Sequence, residues 1–265
     1  MVGHIIFATR NFLPKQPPKR VERDGKLAGT GSNGLPFLYQ YNAAPSMSTH
    51  VSHASSTDPR KKANGFLKVG KKMVAVFVGD DAEPFTVHRD LITATSYFFS
   101  KALSEEVEEN EELHLPNHKS EHFAAYVQWL YEGRFESTKK SKPEYFMDLL
   151  FLGIYLQDRH FRNRVTDSVM SQMIRSGGIP IGLAVEVYPN LPSSSPWRKL
   201  VIDIGVSQSH GEFFKDDSLW DGAPLEFWFD VTAQLLAAPQ KRGQRPWVTD
   251  RCRYYEHMEG EAKCI

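Results

Sequence analysis

Cysteine is scarce: Cys252 and Cys264 are the two in 265 residues. That excludes a disulfide framework and suits a reducing compartment. Neither sign of charge prevails, since Lys plus Arg and Asp plus Glu each number 32, for a formal net charge of zero. The basic surplus or stripe of a nucleic-acid binder is missing, so direct nucleic-acid contact is not expected. No apolar run approaches the roughly 20 residues that cross a bilayer, so no membrane span is expected. Met1 to Phe12 carry a short apolar patch, Ile5-Ile6-Phe7, without the long apolar stretch and small-residue cleavage site of a secretory signal. A transit peptide finds only weak support, because Glu22 and Asp24 follow soon after. The expected location is cytoplasmic, nuclear or both.

Periodicity is also missing from the first 64 residues. Pro14, Pro17, Pro18, Pro36, Pro45 and Pro59 are spread among Ser, Thr, His and Gly. Such a segment buries too little apolar surface to offset its chain entropy. Residues 1–65 are therefore expected to be a disordered tail. Gly29-Thr30-Gly31-Ser32-Asn33-Gly34 spells G-x-G-x-x-G, but polar residues precede it and Pro36 follows. A dinucleotide site needs a strand before and a helix after, so the run reads as linker and no cofactor is expected.

Order is expected from about Leu67. Met73-Val74-Ala75-Val76-Phe77-Val78 reads as a strand buried on both faces. Gly79-Asp80-Asp81 is a turn, and Glu83 to His88 returns as the second strand of a hairpin. The chain then enters an amphipathic helix over 91–103, with Asp90 as expected N-cap. Leu91, Thr95, Phe98 and Ala102 form one row at helical spacing; Ile92, Phe99 and Leu103 form the next. Two adjacent apolar rows are too wide for a half-solvated helix and point to a partner on one side.

Ser104 to Glu112 is an acidic loop with Val107 as its lone apolar residue. Leu113 to Pro116 reads as a short strand, and Ser120 as the cap of a helix burying Phe123, Tyr126, Val127, Leu130 and Tyr131. Gly133 ends that helix in a left-handed C-cap. Phe146 to Ile154 is a buried helix. Asp158 caps the next, with Phe161, Val165, Val169 and Met173 at four-residue spacing. Further on, Ile181–Tyr188, a helix opened by Ser195-Pro196, and Pro224–Ala238 read as helices. The aromatic residues of the last suggest packing onto the preceding domain.

These motifs resemble, as a set, the BTB/POZ family: the Val-rich strand with Gly79, His88-Arg89, Ser96-Tyr97-Phe98-Phe99, Leu115-Pro116 and Trp129-Leu130-Tyr131-Glu132-Gly133. The layout is similar to the BTB proteins of filamentous fungi. The resemblance implies an α+β fold, a small β-sheet flanked by helical hairpins, over 66–176, with an α-helical C-terminal extension over 177–265. His88, Asp90, Ser96, Trp129, Tyr131 and Gly133 are its structural signature here. It implies a non-catalytic module that pairs with itself or another BTB protein, through Met73, Val74, Leu91, Ile92, Thr95, Phe98 and Phe99. It also implies a sharper role, adaptor of a cullin-RING ubiquitin ligase, since Val107-Glu108-Glu109 resembles the hydrophobic-x-Glu element of cullin-binding members. Val107, Glu109 and Leu113 would be the docking edge, and an unidentified protein substrate would bind at the tail or the C-terminal helices. Met73 stands where the transcription-factor branch has an Asp, so the charged co-repressor pocket of that branch is not expected. A transcription-linked scaffold is the alternative reading, and an unrecognised enzyme a second.

Catalytic and metal chemistry find little footing. Cys252, His257 and Cys264 lack the paired close spacing and fourth ligand of structural zinc. His118 and His122 read as a surface pair. His88, Asp90 and Ser96 supply the residue types of a hydrolase triad, but no G-x-S-x-G elbow presents the serine.

Overall fold

Three strands make a mixed sheet in the order β2-β1-β3: β1 Met73–Val78, β2 Phe85–His88 and β3 Glu112–Leu115. β1 and β2 form the expected antiparallel hairpin, with Val74 opposite Val87, and β3 joins β1 in parallel, with Val76 opposite Leu113. Gly79 makes the turn at φ 63°, where a Cβ would lie 2.9 Å from the His118 carbonyl oxygen. The computed structural model describes residues 58–104, 112–136, 143–176, 182–208, 222–241 and 244–261. All of them fall in one compact unit, 41–265.

β1 is not buried on both faces. Val74, Val76 and Val78 are fully buried, whereas Met73 is exposed and Ala75 and Phe77 are half-buried on the other face. Among the described residues no helix buries that outer face, and Phe77 stacks on the exposed His114 ring at 4.8 Å.

The stretch after β2 is two helices rather than one. α1 is Arg89–Ile92 and α2 is Tyr97–Ala102, separated by a turn at 93–96. His88 occupies the N-cap of α1, where no side chain caps, so Asp90 is the second residue of the helix and not its cap. Ser96 caps α2: its hydroxyl accepts the Phe99 amide at 3.2 Å and donates to the Leu156 carbonyl at 2.7 Å.

α3 is Ser120–Glu132, ended by Gly133 in the left-handed conformation at φ 74°. Its N-cap is Lys119, and the Ser120 hydroxyl bonds instead to the Val78 carbonyl, tying the helix start to the end of β1. Arg60 closes the other end of α3. It lies 4.7 Å over the Trp129 ring, donates to the Trp129 carbonyl and pairs with Asp58. A cation at a helix C-terminus satisfies carbonyls left without helical partners. Residues 58–65, assigned above to the disordered tail, are therefore built onto the domain.

α4, Pro143–Tyr155, and α5, Arg159–Ser176, meet at a sharp corner. Gln157 takes φ 51° there, the left-handed region. Asp158, fully buried, caps α5 through the Phe161 amide at 2.9 Å. The other carboxylate oxygen of Asp158 accepts the Thr95 hydroxyl at 2.5 Å and the Tyr126 hydroxyl at 3.0 Å. Burial and the adjacent carboxylate hold the Tyr126 hydroxyl protonated, its pKa well above the usual tyrosine range.

The C-terminal part is helical as expected: α6 Gly182–Asn190, α7 Pro196–Gln208, α8 Leu225–Ala237 and α9 Pro246–Thr249, with a 3-10 turn at Arg251–Tyr254. Polar claws fasten its end to α5. Arg162 grips the Glu256 carboxylate, Asn163 exchanges two bonds with the Glu256 backbone, and Arg159 pairs with Glu261. Trp197 donates to Thr166 at 2.8 Å. α8, whose aromatic content suggested burial, buries Phe227 and packs Trp228 against the core but leaves Phe229 outside.

Asp158→Ala leaves two hydroxyls and an amide without their acceptor. The expected cost is about 3 kcal/mol or more in urea unfolding. Asp158→Asn, which can still cap, is expected to lose less.

Candidate functional site

The sequence signature resolves into an internal framework. The Tyr131 hydroxyl accepts the His88 amide at 3.1 Å and lies 2.8 Å from His88 Nδ1, to which it can donate. The end of β2 is thereby pinned to the last turn of α3. Arg89 reaches the Leu103 carbonyl at the end of α2. Trp129 is buried among Tyr126, Phe161 and Arg60.

The residues expected to form the self-association surface divide sharply. Val74, Leu91, Ile92 and Phe99 are fully buried within this single chain. They offer a partner no area, because the helical rows that looked too wide are covered by the sheet, α3 and the α4–α5 corner. Thr95 spends its hydroxyl on Asp158, and Phe98 packs on Phe99 and Tyr155. Met73 alone of the set is exposed. Sequence reasoning missed its neighbours in surface character: Phe66 at 72 % exposure, Val69, and Tyr97 at 53 %. Phe66 and Val69 lie on the lead-in to β1, and Met73, Ala75 and Phe77 alternate along its outer face. The signal for it was present, since a continuous apolar strand in a sheet that leaves one face to solvent breaks the usual alternation.

Of the expected cullin-docking edge, Val107 and Glu109 lie outside the described residues. Leu113 is 7 % exposed and points into the core from β3, so it cannot be a docking residue without unzipping the sheet.

Catalytic groupings do not assemble among the described residues. His88 is engaged with Tyr131, Ser96 with Leu156 and Phe99, and exposed Asp90 lies against Gly70. No group of three or more His, Cys, Asp or Glu suited to a metal occurs among the described residues. Cys252 Sγ is 3.3 Å from His257 Nε2, while Cys264 is outside them. His118 and His122 are not a surface pair: His122 is buried beside Asp148 and Glu121, and His118 Nε2 is buried without a hydrogen-bond partner. A cleft of about 980 Å³ beside them, lined by Glu121, Glu136, Glu144 and Asp148, opens between α3 and α4. No helix among the described residues is long and apolar enough to cross a membrane.

Among the described residues, His88, Ser96 and Asp158 are committed to structural hydrogen bonds, and the outer face of the central strand is apolar. Residues 66–172 match the BTB/POZ domain family, and the chain carries a BTB/POZ domain, a protein–protein interaction module. No curated protein matches the chain.

Burial holds His118 well below the usual imidazole range, at about 4, with the neighbouring His122 acting in the same direction and Asp148 opposing. Burial likewise lowers His122. Between about pH 6.5 and 4 these two histidines bind more protons in the unfolded chain than in the folded one, so their contribution to stability falls as pH drops through that window and is constant above it. Urea midpoints at about pH 7.5 and 5 are expected to differ, and His118→Gln to narrow the difference.

Proposed function

We propose that the protein is a non-catalytic BTB module that pairs with itself or with another BTB protein through Phe66, Val69, Met73 and the outer face of β1, with Tyr97 beside them in character. The uncovered apolar residues of the central strand carry this reading. Among the described residues Met73 is exposed and Ala75 and Phe77 are only half-buried, and burying one large apolar side chain on a partner contributes about 1.5–3 kcal/mol. Light scattering of the full chain is expected to give more than the monomer mass. Met73→Asp combined with Val69→Asp should return the monomer with unchanged circular dichroism, because both side chains are already exposed. A wild type that stays monomeric at high concentration contradicts the reading.

A narrower role as substrate adaptor of a cullin-RING ligase rests on the Val107-Glu108-Glu109 element in the sequence. Leu113 drops out of it because of its burial. Val107→Asp is expected to abolish binding of a cullin N-terminal region to the folded chain, and Leu113 to play no direct part. Absence of cullin binding by the wild type leaves the module as a scaffold.

A further inference from the structure

α8 has two apolar sides. Phe227 and Val231 are buried against α7, where Gly205 allows close approach: a Cβ there would lie 2.7 Å from Val231 Cγ2 and 3.1 Å from Phe227 Cζ. On the opposite side Leu225, Phe229 and Leu236 are 84, 72 and 80 % exposed, with Thr232 and Ala233 exposed between them. Positions 225, 229, 232 and 236 follow one another at steps of four, three and four. That is the rhythm of a coiled-coil seam, in which each side chain drops between those of a facing helix.

We propose that this seam is a self-association surface of its own, on which α8 of a second copy packs antiparallel. Charge favours a second copy. The carboxylates of α8 are engaged within their own chain: Glu226 pairs with Arg198 at 2.7 Å, and Asp230 accepts the Tyr188 hydroxyl at 2.8 Å. The seam itself is neutral, so two copies meet without burying a charge. Antiparallel packing also opposes the two helix dipoles favourably, whereas parallel packing sets like end against like end. Shape agrees as well. A twofold axis near Asp230 and Val231 places Leu225 against Leu236 of the second copy, and Phe229 against the small Thr232. The contact is self-complementary and closes as a pair.

A helix of thirteen residues is about 20 Å long and presents less than the ~800 Å² per partner of a standard interface. Pairing through α8 alone is therefore weak. The surface is separate from the outer face of β1 and does not depend on it. A chain using both contacts links copies beyond the dimer.

The test uses the full chain with Cys252 and Cys264 replaced by Ser, at about 100 µM, and a short bis-maleimide. Thr232→Cys, next to the twofold, is expected to link to itself. Leu225→Cys is expected not to, yet to link to Leu236→Cys when the two are mixed. Adding Phe229→Asp should cut the linked yield about tenfold, without loss of helicity, since Phe229 is exposed. Adding Met73→Asp and Val69→Asp should leave the links intact, which separates this contact from the one at β1. Thr232→Cys that stays unlinked overturns the proposal and assigns the seam to another protein or another part of the same chain. Leu225→Cys linking to itself overturns the antiparallel arrangement.

Discussion

The buried carboxylate of Asp158 is the point on which the rest of the domain hangs. One oxygen caps α5; the other holds the hydroxyls of Thr95 and Tyr126. A buried charge is tolerated only when its acceptor sites are filled, and here the three donors come from the turn between α1 and α2, from α3 and from α5. The neighbouring Leu156 carbonyl takes the Ser96 hydroxyl and the Phe98 amide at 3.3 Å. The corner between α4 and α5 thus fixes where the stretch after β2 must break. Because it breaks there, Leu91, Ile92 and Phe99 all turn inward and the domain fills its own core.

That internal use of the signature decides what is left for function. His88, Ser96 and Asp158 have the chemistry of a reactive site, yet each is committed to a neighbour that holds the fold together. Among the described residues, Phe66, Val69 and Met73 at the start of β1 and Leu225, Phe229 and Leu236 on α8 are the exposed large apolar side chains that fall in groups, while Tyr97, Ile174, Val248 and Met258 are scattered. Contact with other protein surfaces is what such an arrangement can do. The C-terminal helices are not an appendage loosely strung behind the domain, since Arg159 and Arg162 clamp the far end of the chain to α5.

Local signals were readable from sequence wherever a residue acts within its own turn. The Met73–His88 hairpin, the Gly133 stop and the Asp158 cap follow from alternation, a left-handed glycine and an oxygen at the right place. The break at 93–96 was not readable. Leu91, Thr95 and Phe98 keep helical spacing across it, and the acceptors that enforce the break lie some sixty residues away. Ser120 looked like a cap and bonds to β1 instead; Arg60 looked like part of a tail and seals α3. The aromatic content of α8 suggested that it packs onto the domain, and Phe227 does pack against α7. That content could not say that Phe229 is uncovered, because a stripe in sequence carries no information about what lies above it.

Amide hydrogen exchange on the wild type and on Asp158→Asn most directly tests whether this carboxylate sets the inward turn of the central stretch. The expected result is joint loss of protection in peptides covering 93–103 and 158–165, with the β1–β2 hairpin still protected. Unchanged protection at 93–103 in the variant would mean that the break between α1 and α2 is made by its own local sequence, and Asp158 would then be a helix cap and nothing more.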